Sequence, residues 1–284
     1  NYRHAYHAGN FGDVLKHAVL ASILTYLKRK PQPFRVIDAH AGIGRYDLTG
    51  VEAGKTGERE GGIGRLIGPS AAPLPADIDA LLAPYLDIVR ALNQPGRLDF
   101  YPGSPLVARM LMRPDDRLVV NELHPEDRAL LEAELGRDKA VKVMGLDAWA
   151  AIKALLPPPE RRGLVLIDPP YEQPDEWDKA IAAVGEVQKR FATGVLMLWY
   201  PIKVSGEHRR VHDLMARDPA LKAIVAELTI RPEVEARGLN GSGLLILNPP
   251  WTLKDELERL LPFLAERLAQ RPGGGYRIEK FNVS

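Results

Sequence analysis

Apolar runs of four to eight residues alternate along the chain with longer stretches whose apolar positions recur every three to four residues. That alternation of strand-like and helix-like periods predicts an α/β fold: a mostly parallel sheet with helices on both faces. Seven strands are predicted, over Phe34–Asp38, Arg117–Glu122, Ala140–Met144, Gly163–Asp168, Gly194–Trp199, Ala223–Thr229 and Gly243–Asn248. Helices are predicted over Phe11–Arg29, Pro105–Met112, Pro125–Leu135, Ala148–Leu155, Pro174–Arg190, Gly206–Asp218 and Leu253–Gln270. About eighty residues separate the first two strands, far more than a single crossover helix needs. The Pro/Gly-rich start of that stretch and the pattern Ile78, Leu81, Leu82, Tyr85, Leu86, Val89, Leu92 predict a small helical subdomain at 50–100, inserted between 1–49 and 101–284.

Composition narrows the class without naming a function. The 284 residues are 45% hydrophobic, enough for one sizeable core. No apolar stretch reaches the ~18 residues that span a bilayer, and Asn1-Tyr-Arg-His-Ala-Tyr-His7 lacks the pattern of a signal peptide. The chain has no cysteine, which excludes disulfides, a thiolate zinc site and a cysteine nucleophile, and fits the cytoplasm. Its 38 Lys+Arg nearly balance 37 Asp+Glu, but residues 1–65 hold ten of the former and six of the latter. Such a local excess can bind phosphates, through Arg3, Lys16, Lys28, Arg29, Lys30 or Arg45, or be no more than a solvated surface.

In an open parallel sheet, ligands sit beyond the carboxyl ends of the strands. The first strand ends Asp38-Ala-His40-Ala-Gly42-Ile-Gly44, whose glycines let backbone approach a ligand, although a plain tight turn reads the same way. The second ends at Glu122, an acid suited to ribose hydroxyls, and the third is followed by Gly145-Leu-Asp147, a carboxylate suited to an adenine amine or simply a solvated loop residue. The fourth runs into Asp168-Pro169-Pro170-Tyr171. An exocyclic amine on an aromatic base is a poor nucleophile because its lone pair is delocalised. A short acidic side chain and a prolyl carbonyl can hold its two hydrogens, the prolines offer no competing N–H, and the aromatic ring gives the base a face to stack on. A strand-ending turn remains the plain alternative for those four residues alone. The order of the four elements, each after its own strand, is what points to amine methylation.

Other patterns compete. Asn248-Pro249-Pro250-Trp251 also fits amine methylation, but its strand is expected to be an antiparallel edge strand, which turns its carboxyl end away from the crevice; Asp168 is therefore preferred. Gly50-Val-Glu-Ala-Gly54-Lys55-Thr56 is one residue short of a phosphate loop and follows no strong strand. The histidines show no metal-ligand spacing, and no metal is expected. Trp199-Tyr200-Pro201 can flank a target base or pack in the core.

Taken together, Tyr2-Arg3-His4, His7-Ala-Gly9-Asn10, Asp13-Val-Leu-Lys16-His17, Asp38-Ala-His40-Ala-Gly42, Tyr101-Pro-Gly-Ser104-Pro105, Asn121-Glu-Leu-His-Pro125, the run Arg161 to Glu172, Leu198-Trp-Tyr-Pro201 and the run Ser242 to Trp251 resemble the bacterial 23S ribosomal RNA adenine-N6 methyltransferases of the J type, over nearly the whole chain. The resemblance implies a Rossmann-like class I methyltransferase fold, S-adenosylmethionine as methyl donor and 23S ribosomal RNA as partner; a monomer is expected. It also implies that Lys16, His17, His40, Gly42, Ser104, Glu122, Asp147, Ala148 and Asp168 line the cofactor site, that Asp168, Pro169 and Tyr171 carry the chemistry, and that Tyr2 and Tyr171 contact the target base. Two local departures stand out: a slightly longer insertion around Pro69–Pro75, and Ala148 where glycine is expected. A DNA adenine methyltransferase shares the chemistry, but no separate target-recognition domain is visible; a protein-glutamine methyltransferase is expected to carry Asn at position 168; a non-catalytic RNA-binding module would not bind the donor.

Overall fold

The computed structural model describes residues 4–50, 57–218, 220–232, 234 and 238–283. Five parallel strands form one side of an eight-stranded sheet: β1 (Arg35–Asp38), β4 (Arg117–Asn121), β5 (Val141–Met144), β6 (Gly163–Ile167) and β7 (Val195–Ile202). β8 (Ala223–Thr229), β9 (Gly241–Leu247) and β10 (Gly275–Phe281) complete it through antiparallel pairings, in the order β10-β8-β9-β7-β6-β1-β4-β5. A separate hairpin joins β2 (Arg45–Asp47) to β3 (Phe100–Pro102).

Strand sequences explain this arrangement. All five residues of Gly163-Leu-Val-Leu-Ile167 are buried, as a strand covered on both faces requires. Alternate residues then feed two cores. Val36, Leu118 and Leu164 face one side, with Leu15, Leu20 and Leu24 of α1 (Phe11–Leu27). Ile37, Val119 and Val165 face the other, with Ile152 of α6 (Ala148–Leu155) and Val184 of α7 (Glu176–Arg190). Each such residue contributes roughly 1.5–3 kcal/mol by leaving water.

Between β2 and β3, the described residues form a 3-10 turn (Glu58–Gly61), the short α2 (Gly64–Ile67) and α3 (Ala76–Ala91). α3 buries Ile78, Leu82, Tyr85, Leu86 and Val89 as its pattern predicts, and they join the same core as α1. Beyond it lie α4 (Ser104–Leu111), α5 (Pro125–Leu135), α8 (Arg209–Arg217) and α9 (Leu253–Leu268).

The β2–β3 hairpin is not expected from sequence, and two features of the main sheet also differ. The strand before Asn248 is antiparallel, as expected, but it is interior: β9 lies between β7 and β8 and all seven of its residues are buried. The edge belongs instead to β10, an eighth strand whose Gly-Tyr-Arg-Ile-Glu-Lys-Phe sequence has no apolar run, because an edge strand is half exposed and tolerates charge.

Candidate active site

β6 delivers Asp168 to the carboxyl end of the sheet, where the two prolines end the ladder. Tyr171 takes a left-handed backbone conformation (φ 54°), unusual for a side chain of its size, and is pinned there. Its hydroxyl donates to the Trp199 carbonyl at 2.9 Å, and its ring lies 4.5 Å from that of Trp177. The Asp168 amide donates to His40 Nδ1 at 3.3 Å, which makes Nδ1 an acceptor and places the ring proton on Nε2. Burial holds the His40 pKa down at about 4, against the opposing pull of Asp168 and Asp147, so the ring is neutral.

α1 enters the site from the other side of the chain. Asn10 caps it, accepting from the Asp13 amide at 3.0 Å, and nearly every residue of the helix is buried. Asp13 and Lys16, three positions apart, share one helix face. Lys16 Nζ lies 3.0 Å from Asp13 Oδ1 and 2.5 Å from Asp168 Oδ2, and His4 Nε2 lies 2.8 Å from Asp13 Oδ2. Burial works against the charge on Lys16, but the two carboxylates raise its pKa well above the ordinary value. For Asp13, burial is outweighed by His4 and Lys16, which hold its pKa well below the carboxylate range.

The turn after β1 is built around Asp38 and Gly42. Asp38 accepts from Ser104 Oγ at 2.6 Å; burial pushes its pKa up to about 6, with Ser104 opposing. Gly42 has φ 64°, and a Cβ there would stand 2.3 Å from the Tyr46 hydroxyl, so only glycine fits. Its amide donates to Glu122 Oε2 at 2.9 Å, and the His124 amide donates to Oε1 at 2.8 Å. Burial nevertheless raises the Glu122 pKa, against those two amides. Asp147 is exposed after β5 and caps α6 through the Ala150 amide at 3.0 Å; Ala148 is the buried first residue of that helix.

The structure thus brings Lys16, His40, Gly42, Ser104, Glu122 and Asp168 to one end of the parallel strands, with Asp147 and Ala148 after β5 on the same end. His17 is buried beside them in a row with Tyr101 and Tyr85, its Nδ1 2.8 Å from the Tyr101 hydroxyl, while its buried Nε2 has no partner. Burial, and next the charge on Lys16, lower its pKa to about 3. Tyr2 lies outside the described residues, as do Gly54, Lys55 and Thr56. The competing Asn248 sits at the opposite end of the sheet, where its amide donates to the Ala192 and Gly194 carbonyls ahead of β7, each at 2.9 Å. Asp13 and Tyr46 lie outside the residues that sequence marks for the site. The three-residue spacing to Lys16 could have marked Asp13; nothing local marks Tyr46. Among the described residues, no cluster of His, Asp and Glu could hold a metal ion, and no helix is long and apolar enough to cross a membrane.

A parallel sheet bearing a glycine turn, an acid after each of the next two strands and Asp-Pro-Pro-Tyr after the fourth defines a Rossmann-like methyltransferase. Residues 31–281 match the family described as ribosomal RNA large subunit methyltransferase D, RlmJ, and the chain belongs to that family. It is 43% identical over 269 residues to ribosomal RNA large subunit methyltransferase J of Escherichia coli strain K12, covering 94% of each chain. The protein of the same name from Haemophilus influenzae is 42% identical over 280 residues, covering 98% of each. Among solved structures, protein LPL1258 of Legionella pneumophila superposes with a TM-score of 0.84 at 34% identity, over 97% of this chain and 99% of that one. A probable spermidine synthase from Corynebacterium glutamicum, 12% identical with a TM-score of 0.52 over 98% of this chain and 78% of that one, shares the fold alone.

Proposed function

We propose that this protein transfers a methyl group from S-adenosylmethionine to N6 of one adenine in 23S ribosomal RNA. The observation that carries the reading is the place of Asp168: it ends a parallel strand beside the glycine turn, with one carboxylate oxygen engaged by Lys16 and its amide by His40. The residues around it suit the donor. Both Glu122 oxygens are fixed by backbone amides yet keep lone pairs for ribose hydroxyls, the Gly42 turn has no room for a side chain, and the partnerless Nε2 of His17 leaves a donor or acceptor available. In this reading Lys16, His17, His40, Gly42, Ser104, Glu122, Asp147, Ala148 and Asp168 hold the donor. When bound, it supplies an electrophilic methyl group on a sulfonium.

The chain's own residues do the rest. The adenine leaves its stack at a cost of a few kcal/mol and lies against Tyr171, with Tyr2 on its other side. Asp168 Oδ1 and the Pro169 carbonyl accept the two N6 hydrogens. Both contacts strengthen as positive charge grows on nitrogen during transfer, so they stabilise the transition state electrostatically. After the N–C bond forms, the extra proton on N6 passes to Asp168 or to water. The protein is proposed to act in the cytoplasm, as a monomer and without a metal, with residues 50–100 as a helical insertion in the methyltransferase domain. Asp168→Ala should keep the fold and lose turnover on unmethylated 23S ribosomal RNA. Normal methylation by that folded variant rejects the assignment.

A further inference from the structure

The ends of the sheet opposite the cleft carry a concentration of positive charge that the chemistry above does not use. Segments 28–30, 113–117, 137–139 and 160–162, with Arg35 and Arg109, hold eleven Lys/Arg against four Asp/Glu. The rest of the chain carries 27 against 33, so nearly neutral overall charge conceals a segregated one. Strand register and hydrogen bonds assemble these segments. Arg35 stands opposite Arg117 on one side and Gly163 on the other, and the amide of Leu118 donates to Ala140 at 2.9 Å, so the starts of β5, β4, β1 and β6 form a row. Arg113 and Arg162 reach across it to the Gln32 carbonyl, at 3.0 and 2.8 Å, and flank the Phe34 ring at 5.6 and 5.7 Å.

Much of this charge is not neutralised locally. Arg162 gives its guanidinium to the carbonyls of Gln32 and Leu27, and Arg117 gives its own to those of Pro114 and Asp116. Burial, and next the charge of Arg113, lower the Arg162 pKa. Arg29, Lys30, Arg117, Arg137, Lys139 and Arg161 are all exposed. The cleft end, by contrast, presents Glu122, Asp147, Glu172 and Asp175, and its Lys16 is buried between two carboxylates. Among the described residues, the rim therefore offers a polyanion a denser positive surface than the cleft end does.

We propose that this basic rim is a second RNA-binding surface, which holds the phosphodiester backbone of the substrate outside the stretch that enters the cleft. Four strands at about 4.8 Å apart make a row roughly 15 Å wide, enough to meet several phosphates, and guanidinium groups match phosphate oxygens two at a time. The inference rests on the proposed ribosomal RNA substrate for the identity of the RNA.

The test compares the full-length protein with a variant carrying Arg29→Gln, Lys30→Gln, Arg117→Gln and Arg161→Gln, using unmethylated 23S ribosomal RNA made by transcription. Affinity for the RNA should fall at least tenfold, and the dependence of log affinity on log salt should become shallower by about two to four, at roughly 0.7–0.9 per lost phosphate contact. Binding of S-adenosylmethionine in calorimetry should not change. A second variant with Arg29→Lys, Arg117→Lys and Arg161→Lys keeps the charge, so it should keep the parent's salt dependence and lose only the part of the affinity that bidentate contacts supply. Unchanged RNA affinity and slope in the Gln variant overturn the proposal, as does equal loss in the Lys variant. Loss of binding to phosphatidylglycerol vesicles with RNA binding intact assigns the surface to a membrane and overturns it too. If the parent binds RNA through the rim but methylates none, this inference stands and the proposed function fails.

Discussion

Lys16 Nζ meets Asp168 Oδ2 at 2.5 Å across 152 residues of sequence, joining the first helix of the chain to the end of β6. Because Asp13 shares the same ammonium, one buried cation balances two carboxylates. Lys16→Met leaves Asp168 without its cation and leaves Asp13, among the described residues, with His4 alone, and breaking a buried pair from one side typically costs about 3–5 kcal/mol. Denaturant unfolding should show a loss of that size, reduced when Asp13→Asn is added. Methylation should be lost in both variants; retained activity in Lys16→Met would remove the lysine from the mechanism.

His17 sets a pH dependence of stability. The folded state holds its ring neutral, with a pKa of about 3, while the unfolded chain takes up a proton near the ordinary value of 6.5. The unfolded state therefore binds more protons between those values, so this contribution is complete above about pH 6.5 and is lost as pH falls towards 3. His40, at about 4, acts in the same direction; Asp38, raised to about 6, acts in the opposite one. The unfolding free energy of His17→Asn should drop less between pH 6.5 and 4.5 than that of the parent. An identical pH profile would contradict the burial argument.

The four elements after β1, β4, β5 and β6 are visible in sequence because each is local: a strand, then a short chemical signature within a few residues of its end. What sequence hides is whatever joins distant segments. The Asp13-Lys16-Asp168 grouping needs α1 laid against the sheet, and the contact of Tyr46 with Gly42 needs the chain to fold back on itself. The basic rim is scattered over residues 28 to 162 and gathers only through register. Local periodicity also cannot report β10, whose partner is β8 some fifty residues earlier by the register Gly275 to Thr229. The preference for Asp168 over Asn248 rests on strand direction, and β9 is antiparallel as that expectation has it, although interior rather than at the edge.

Gly42→Ala combines a left-handed backbone with a collision at the Tyr46 hydroxyl. Overpacking of this kind costs about 1–3 kcal/mol, and the affinity for S-adenosylmethionine should fall with it. Adding Tyr46→Phe removes the nearest atom and leaves the ring carbon at 3.6 Å, an ordinary contact. A double-mutant cycle in stability should therefore show favourable coupling. Additive losses would mean that backbone strain alone is responsible.

Tyr171→Phe keeps the ring but cuts its tie to the Trp199 carbonyl. Thermal unfolding should register about 1 kcal/mol of lost stability. The methylation rate should suffer more than that, since the loop carrying Asp168 and Pro169 loses its anchor. Parent-like turnover would show that Trp177 packing holds the loop unaided.

β10 pairs with β8 over seven residues, from Gly275 against Thr229 to Phe281 against Ala223. It therefore shields a long, apolar strand whose main-chain amides would otherwise stand open at the margin of the sheet. Cutting the polypeptide just ahead of Gly275 would spare every group proposed for catalysis and still leave a sheet prone to stack on itself through that uncovered border. A stretch outside the proposed chemistry thus keeps that border closed to another copy of the sheet.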